Sequence, residues 1–278
     1  MLIRKKDDEG YTRKTFVNLR PMKEKKRPLI LVTNDDGYTA KGILNLAQIA
    51  SKFGDVLIVA PDKAQSGMGH AITIHDPLKI QEIELEKGLK GYSCSGTPVD
   101  CVKSALHGLS DRRPDLLVSG INHGANFSIN VIYSGTMSAA VEGALENIPS
   151  IGFSLLDYHK DADFSESRWV VERVIEKALS EKFPEHTCLN VNIPKTNGEK
   201  LKGIKVCRQG VGIWQDELVK REDPMGNPYY WLAGEFKEMD KGQDTDIYAL
   251  KNRYVSVVPT QFDMTAHQHI PTISNWEL

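Results

Sequence analysis

The 278-residue sequence predicts an α/β fold, three-layered and Rossmann-like, around a mostly parallel sheet. Three observations carry that prediction. Continuous apolar runs such as Leu29-Ile30-Leu31-Val32 have the texture of strands buried on both faces. Segments of helical periodicity alternate with those runs. The first strand, helix and strand fall within about thirty residues, the spacing of a right-handed βαβ unit.

The elements follow in order. After Leu29–Val32, a helix is expected from Ala40 to Phe53, because Ile43, Ala47, Ala50 and Phe53 share one face and Gly54 stands where a helix C-terminal glycine belongs. Asp55 to Ala60 reads as the second strand, ended by Pro61. Thr97-Pro98-Val99-Asp100 reads as a helix start: Thr97 as N-cap, Pro98 at the first helical position, Asp100 near the positive end of the dipole. Leu116-Leu117-Val118 is the next strand, followed by a small-residue helix from Thr136 to Glu146 and a strand from Ser150 to Leu155. Val171, Val174, Ile175, Ala178 and Leu179 then repeat at helical spacing. Beyond Leu189–Asn192 the texture changes to scattered Gly, Pro and aromatics, with turn signals at Gly226-Asn227-Pro228 and Gly242-Gln243-Asp244 and a clear strand from Tyr254 to Val258. The expected organisation is a basic, unstructured extension over 1–27, a Rossmann-like core over 28–193 and a C-terminal region over 194–278.

Composition narrows the function classes. Hydrophobic residues make up 40% and charged residues 26%, ordinary for a globular protein. No apolar run approaches the roughly 20 residues of a membrane-spanning helix. A net charge of −2 gives no global attraction for nucleic acid or anionic membrane, so no stable nucleic-acid or membrane partner is expected, and an anionic ligand must be met by local chemistry. Cys94, Cys101, Cys188 and Cys207 show no CxxC spacing and read as reduced, partly buried thiols. The first 27 residues carry ten Lys/Arg against four acids but lack the apolar stretch of a signal peptide, and a cytoplasmic location is expected.

Chemistry is expected in the loops after the strands, since doubly wound sheets bind ligands at the carboxyl ends of their strands. Thr33-Asn34-Asp35-Asp36-Gly37 follows the first strand. Adjacent carboxylates beside a low-dielectric core repel one another, a cost that a bound divalent cation relieves, and Gly37 permits the tight turn. Their competing use is an Asp cap on the helix near Ala40. Ser66-Gly67-Met68-Gly69-His70 and Ser119-Gly120-Ile121-Asn122-His123-Gly124-Ala125-Asn126 add a hydroxyl and two carboxamides from other strand ends. Such hard oxygen donors suit Mg²⁺, Mn²⁺ or Ca²⁺ rather than zinc. Tyr133-Ser134-Gly135-Thr136 runs into a helix start, where hydroxyls and free amides either form a phosphate site or simply cap the helix. His70 and His123 lie in these loops and are read as bystanders.

Five blocks, Leu31-Val32-Thr33-Asn34-Asp35-Asp36-Gly37, Ser66-Gly67 through Thr73, Ser95-Gly96-Thr97-Pro98-Val99-Asp100, Ser119 through Asn126, and Tyr133-Ser134-Gly135-Thr136, resemble in the same order those of the survival protein E (SurE) family of 5′/3′-nucleotidases. The resemblance runs from about Pro28 to about Ile273. It implies one divalent cation per subunit, Mg²⁺ or Mn²⁺, held by Asp35, Asp36, Ser66 and Asn122, and phosphate contacts from Asn126, Ser134, Gly135 and Thr136. It further implies an extension, often a β-hairpin, exchanged between subunits of a homodimer or homotetramer; the aromatic-rich segment from about Gly210 to Phe236 fits such an arm. Asp246 and Val255–Pro259 resemble the family's closing strand, with Val258 where Thr is more usual.

The expected activity is hydrolysis of nucleoside 5′-monophosphates, extending to 3′-monophosphates and short polyphosphate, by metal-assisted attack of water, with Asp35 or Asp36 accepting the proton. The alternatives are a non-catalytic nucleotide sensor and a receiver-type signalling module, which also places an acidic pair after its first strand but needs a phosphoacceptor Asp on a later one. A phosphatase forming an aspartyl-phosphate fits poorly, since its two carboxylates are spaced Asp-x-Asp and these are adjacent.

Overall fold

The computed structural model describes residues 26–278, the side chain of Lys87 apart, and the backbone of two short strands nearer the N-terminus, β1 (Arg4–Lys6) and β2 (Thr12–Lys14), which pair antiparallel. The expectation of an unstructured stretch over 1–27 otherwise falls outside the described residues. The main chain then runs β3 (Leu29–Thr33), α1 (Lys41–Ala50), β4 (Asp55–Pro61), β5 (Ile80–Glu84), β6 (Lys90–Cys94), α2 (Pro98–Ser104), β7 (Leu116–His123), α3 (Gly135–Leu145), β8 (Ser150–Leu155), α4 (Ser167–Ser180) and β9 (Thr187–Ile193). After it come β10 (Ile204–Val206), β11 (Gly212–Glu222), β12 (Pro228–Glu238), α5 (Asp246–Lys251), β13 (Val255–Gln261) and α6 (Ile270–Ser274).

Nine strands form one sheet in the order β10-β13-β9-β8-β7-β3-β4-β6-β5. The six from β9 to β6 are mutually parallel, and the antiparallel pairings, β13 with β9 and β5 with β6, lie toward the edges. Side chains alternate across β3 as the pleat requires. Ile30 and Val32 pack with α1 and α4 in one fully buried cluster, while Leu31 packs on the opposite face with α2 and α3. The three-layer α/β fold is therefore present. Each such buried Leu, Ile or Val stabilises the fold by about 1.5–3 kcal/mol relative to an exposed position.

Local signals explain the helix ends. Thr97 and Asp100 form a reciprocal capping box, Thr97 Oγ1 accepting from the Asp100 N–H at 3.2 Å and Asp100 Oδ2 accepting from the Thr97 N–H at 2.9 Å. The helix expected to reach Phe53 ends at Ala50; the chain turns there, and Gly54 fits so closely under Pro28 that a Cβ would meet its carbonyl oxygen at 2.3 Å. The pair β5 and β6 has no counterpart among the expected elements. It is an edge hairpin whose outer strand, Ile80-Gln81-Glu82-Ile83-Glu84, is mostly exposed and polar.

What matters for the site is the order of connection. The chain leaves β3 for β4 and β6 on one side, then returns to β7 on the other. The reversal lies between β3 and β7, the place where open α/β sheets bind ligands. Beyond Ile193, β13 and β10 extend the main sheet, and the antiparallel ribbon β11–β12 forms a separate two-stranded sheet. The turn signal at Gly226-Asn227-Pro228 sits at the tip of that ribbon, where Gly226 has φ +81°.

Candidate active site

The loop after β3 presents Asp35 and Asp36 over the reversal point. Gly37, at φ +95°, makes the turn and accepts an N–H from the Asn34 side chain at 2.9 Å through its carbonyl. Neither aspartate caps α1, whose N-cap is Ala40 without any side-chain bond. Asp35 is almost fully buried; Thr136 Oγ1 donates to its Oδ1 at 2.5 Å, and the Thr136 main chain adds a second donor. Burial, and then the neighbouring charge of Asp36, nevertheless push the Asp35 carboxyl up from 3.8 to about 6. Burial raises Asp36 also, against the backbone N–H of His123, which donates to its Oδ2 at 3.1 Å.

A register shift on β7 between Ser119 and Asn122, a bulge against β8, sets the direction of the next loop. Asn122 follows it, buried, with its Nδ2 donating to the Gly124 carbonyl at 3.1 Å. Asn126 is held from behind: its N–H donates to Asn192 Oδ1, its Nδ2 to Ser154 Oγ, each at 2.8 Å, and its carbonyl accepts from Asn190 Nδ2 at 2.7 Å. Ser134 is the N-cap of α3, its Oγ accepting the Met137 N–H at 3.0 Å while its own proton stays available to donate. Gly135 packs so close that a Cβ there would sit 2.7 Å from the Asp35 Cβ. The positive end of α3 thus lies against the acidic pair.

Asp35, Ser66, Asn122, Asn126 and Ser134 share the lining of one cavity of about 410 Å³. Asp36 meets the same loop through the His123 N–H, and Gly135 and Thr136 meet it through Asp35. Every residue expected to hold the cation or the phosphate therefore lies at this locus, although Thr136 turns its hydroxyl to Asp35. Among the described residues no three His, Cys, Asp or Glu side chains cluster as a metal site. The donors here are two carboxylates, a hydroxyl and an amide oxygen, and the buried Oδ1 of Asn34 has no protein partner. A buried carboxylate and a partly buried one, both raised by desolvation, among hard oxygens fit a divalent cation of the Mg²⁺ type.

The family model of survival protein SurE matches residues 30–216. The chain belongs to the SurE family. A 5′-nucleotidase SurE from Christiangramia forsetii is 56% identical over 256 residues, 91% of this chain and 98% of the relative. Another, from Flavobacterium psychrophilum, is 54% identical over 253 residues with the same coverage of each chain. Among solved structures, the SurE protein from Aquifex aeolicus matches with a TM-score of 0.76 at 40% identity, covering 89% of this chain and 98% of that one.

Within this SurE chain the rings of the two loop histidines are held by groups other than the acidic pair. His70 Nε2 lies 2.9 Å from Glu142 Oε2, and the His123 ring reaches the His159 carbonyl at 3.0 Å while packing edge-on against Phe164. Glu142 was not among the sequence candidates. It is buried on α3, and His70 and Lys103, the latter at 2.5 Å, hold its carboxyl below the usual range. The loop carrying Ser66 is fastened there, at Tyr133 through the Gly69 N–H, and at Asp100, which accepts from the Thr73 hydroxyl at 2.6 Å. Asp246, buried and raised by that burial, accepts the N–H groups of Ser128, Gly210 and Ile247, each at 2.8 Å. It joins the cavity loop to the foot of the ribbon.

Proposed function

We propose that this chain hydrolyses nucleoside 5′-monophosphates to nucleoside and inorganic phosphate, with one Mg²⁺ or Mn²⁺ per subunit held by Asp35, Asp36, Ser66 and Asn122. The observation that carries this reading is the shared cavity, where buried Asp35, with the partly buried Asp36 beside it, meets the N-terminus of α3. The naming of relatives more than half identical to this chain as 5′-nucleotidases supports the substrate class. The cation, when bound, supplies Lewis-acid polarisation of the phosphoryl group and a lowered water pKa.

The protein's own groups do the rest. Ser134 donates its hydroxyl proton, and Gly135 its main-chain N–H, to phosphoryl oxygens where charge accumulates. Asn126, immobilised by Asn190, Asn192 and Ser154, keeps a second amide hydrogen for the same anion. Thr136 acts on Asp35 instead, keeping the carboxylate oriented and its deprotonated form accessible. One carboxylate of the acidic pair accepts the proton of the attacking water. A receiver-type module finds no support: β4 leads into an exposed Asp62, and β7 presents Asn122 and His123. Phosphate release from a panel of 5′- and 3′-monophosphates and short polyphosphate tests the reading. We expect turnover of 5′-monophosphates with Mg²⁺ or Mn²⁺ and none with chelator; binding without turnover under any divalent metal would make the chain a sensor.

The reading extends to a homodimer or homotetramer joined through β11–β12. Eleven residues long in each strand, the ribbon exposes Leu218, Trp231 and Leu232 by 64–73%, with Leu218 directly opposite Leu232. A two-stranded ribbon is marginal alone, and such an apolar surface marks a contact. Leu218→Asp with Leu232→Asp is expected to lower the mass by light scattering at least twofold; a monomeric wild type across micromolar concentrations would refute the proposal. Among the described residues no helix is long and apolar enough to cross a membrane.

A further inference from the structure

We propose that the cavity carries a nucleobase platform, built from Trp214 and Tyr158 with Asn130 as its hydrogen-bonding edge, that makes purine nucleotides the preferred substrates. The proposal rests on the nucleotidase reading and adds what that reading leaves open, the recognition of the base. The same cavity whose floor holds Asp35, Asn126 and Ser134 is rimmed by these three side chains. Its volume, about 410 Å³, exceeds what a phosphate and one cation occupy and falls in the range of roughly 300–1,000 Å³ for small-molecule sites.

The rings are built in. Trp214 stands on β11 directly opposite Phe236 on β12; the two rings meet edge to face at 6.0 Å, and Phe236 meets Phe127 likewise at 5.4 Å. Gly212 makes this stack possible, since a Cβ there would strike the Phe236 ring at 2.3 Å. Trp214 is thus braced from below yet remains 40% exposed. On the other side Tyr158 is 74% exposed and lies across the Gly124 backbone, where a Cβ would meet its ring at 2.6 Å, and its hydroxyl accepts the Ala125 N–H at 3.3 Å. Two fixed aromatic rings with free surface beside a phosphate site are the arrangement that stacks bases, since every base has a π-face.

Asn130 gives the platform a polarity. Trp214 Nε1 can only donate, and it does so to Asn130 Oδ1 at 2.8 Å. That contact fixes the amide, so Asn130 presents N–H donors and reads acceptor positions such as purine ring nitrogens. The larger purine also covers more of an indole face than a pyrimidine does.

Steady-state kinetics with adenosine 5′-monophosphate, cytidine 5′-monophosphate and ribose 5-phosphate test this. Ribose 5-phosphate presents the same phosphoryl group with no base. Trp214→Ala is expected to raise KM for the adenine nucleotide about tenfold, as loss of one base–aromatic stack implies, with kcat held within about twofold. Ribose 5-phosphate kinetics are expected to stay within the same twofold, and the purine preference to disappear. Trp214→Phe, which keeps a ring but not the N–H, is expected to fall between; Tyr158→Ala, at an exposed position, repeats the pattern independently of the ribbon. Parallel losses on all three substrates, or no change on any, would overturn the platform. Wild-type failure on every one of these substrates would instead overturn the nucleotidase reading.

Discussion

Replacing Asp36 with Asn is expected to lower metal-dependent phosphate release from adenosine 5′-monophosphate by at least about 10³-fold, since several kcal/mol of charge stabilisation leave with the carboxylate and each 1.36 kcal/mol is tenfold in rate. The substitution is nearly isosteric. The Asn oxygen still accepts the His123 N–H that now meets Asp36 Oδ2 at 3.1 Å, so the β7 loop keeps its place. What is lost is negative charge beside Asp35. Fold and chemistry then separate in one experiment: the melting temperature without metal stays at or above that of the wild type, while activity at saturating Mg²⁺ collapses. Full metal-dependent activity in the variant would remove Asp36 from the metal set and from the proton transfer together.

The parts of this site that were legible from sequence are those fixed by local rules. Leu29–Val32 reads as a buried parallel strand, and an acidic pair at the end of such a strand is conspicuous because it sits at the ligand-binding end of the sheet. Thr97-Pro98-Val99-Asp100 announced its capping box in four residues. Spacing alone left two uses open for Asp35 and Asp36, and only the uncapped Ala40 at the start of α1 removes the helix-cap option. Other features depend on partners far along the chain. Thr136 looked like a phosphate donor, but its hydroxyl is turned to Asp35, a contact no periodicity encodes. Glu142 reads in sequence as one polar position of a small-residue helix, and its role appears when His70 and Lys103 converge on it. Trp214 and Tyr158 are likewise ordinary aromatics until the sheet brings them to one cavity. The edge pair β5–β6 was missed because its exposed strand lacks the apolar alternation that burial imposes.

The second large effect concerns Asp35 and the dependence of metal binding on pH. Its carboxyl is raised from 3.8 in the unfolded chain to about 6 in the fold, chiefly by burial. The native state therefore holds this proton more tightly, and its contribution to stability is fully present below about pH 4 and is lost as pH rises through about 6. At 1.36 kcal/mol per pH unit, ionised Asp35 costs the metal-free protein about 3 kcal/mol above that range. A divalent cation binds the ionised form and so competes with the proton. At a hundredfold excess over its pH 8 dissociation constant, Mg²⁺ is expected to raise the melting temperature by about 5–10 °C at pH 8, and by about half as much at pH 5, where a carboxyl at about 6 is only about one-tenth ionised. Asp35→Asn mimics the protonated form, because its amide oxygen still accepts from Thr136. The metal-free variant is expected to melt several degrees above the metal-free wild type at pH 8 and to show no Mg²⁺ response at either pH. An Mg²⁺ shift of equal size at pH 5 and pH 8 would mean that Asp35 is not where the cation and the proton compete.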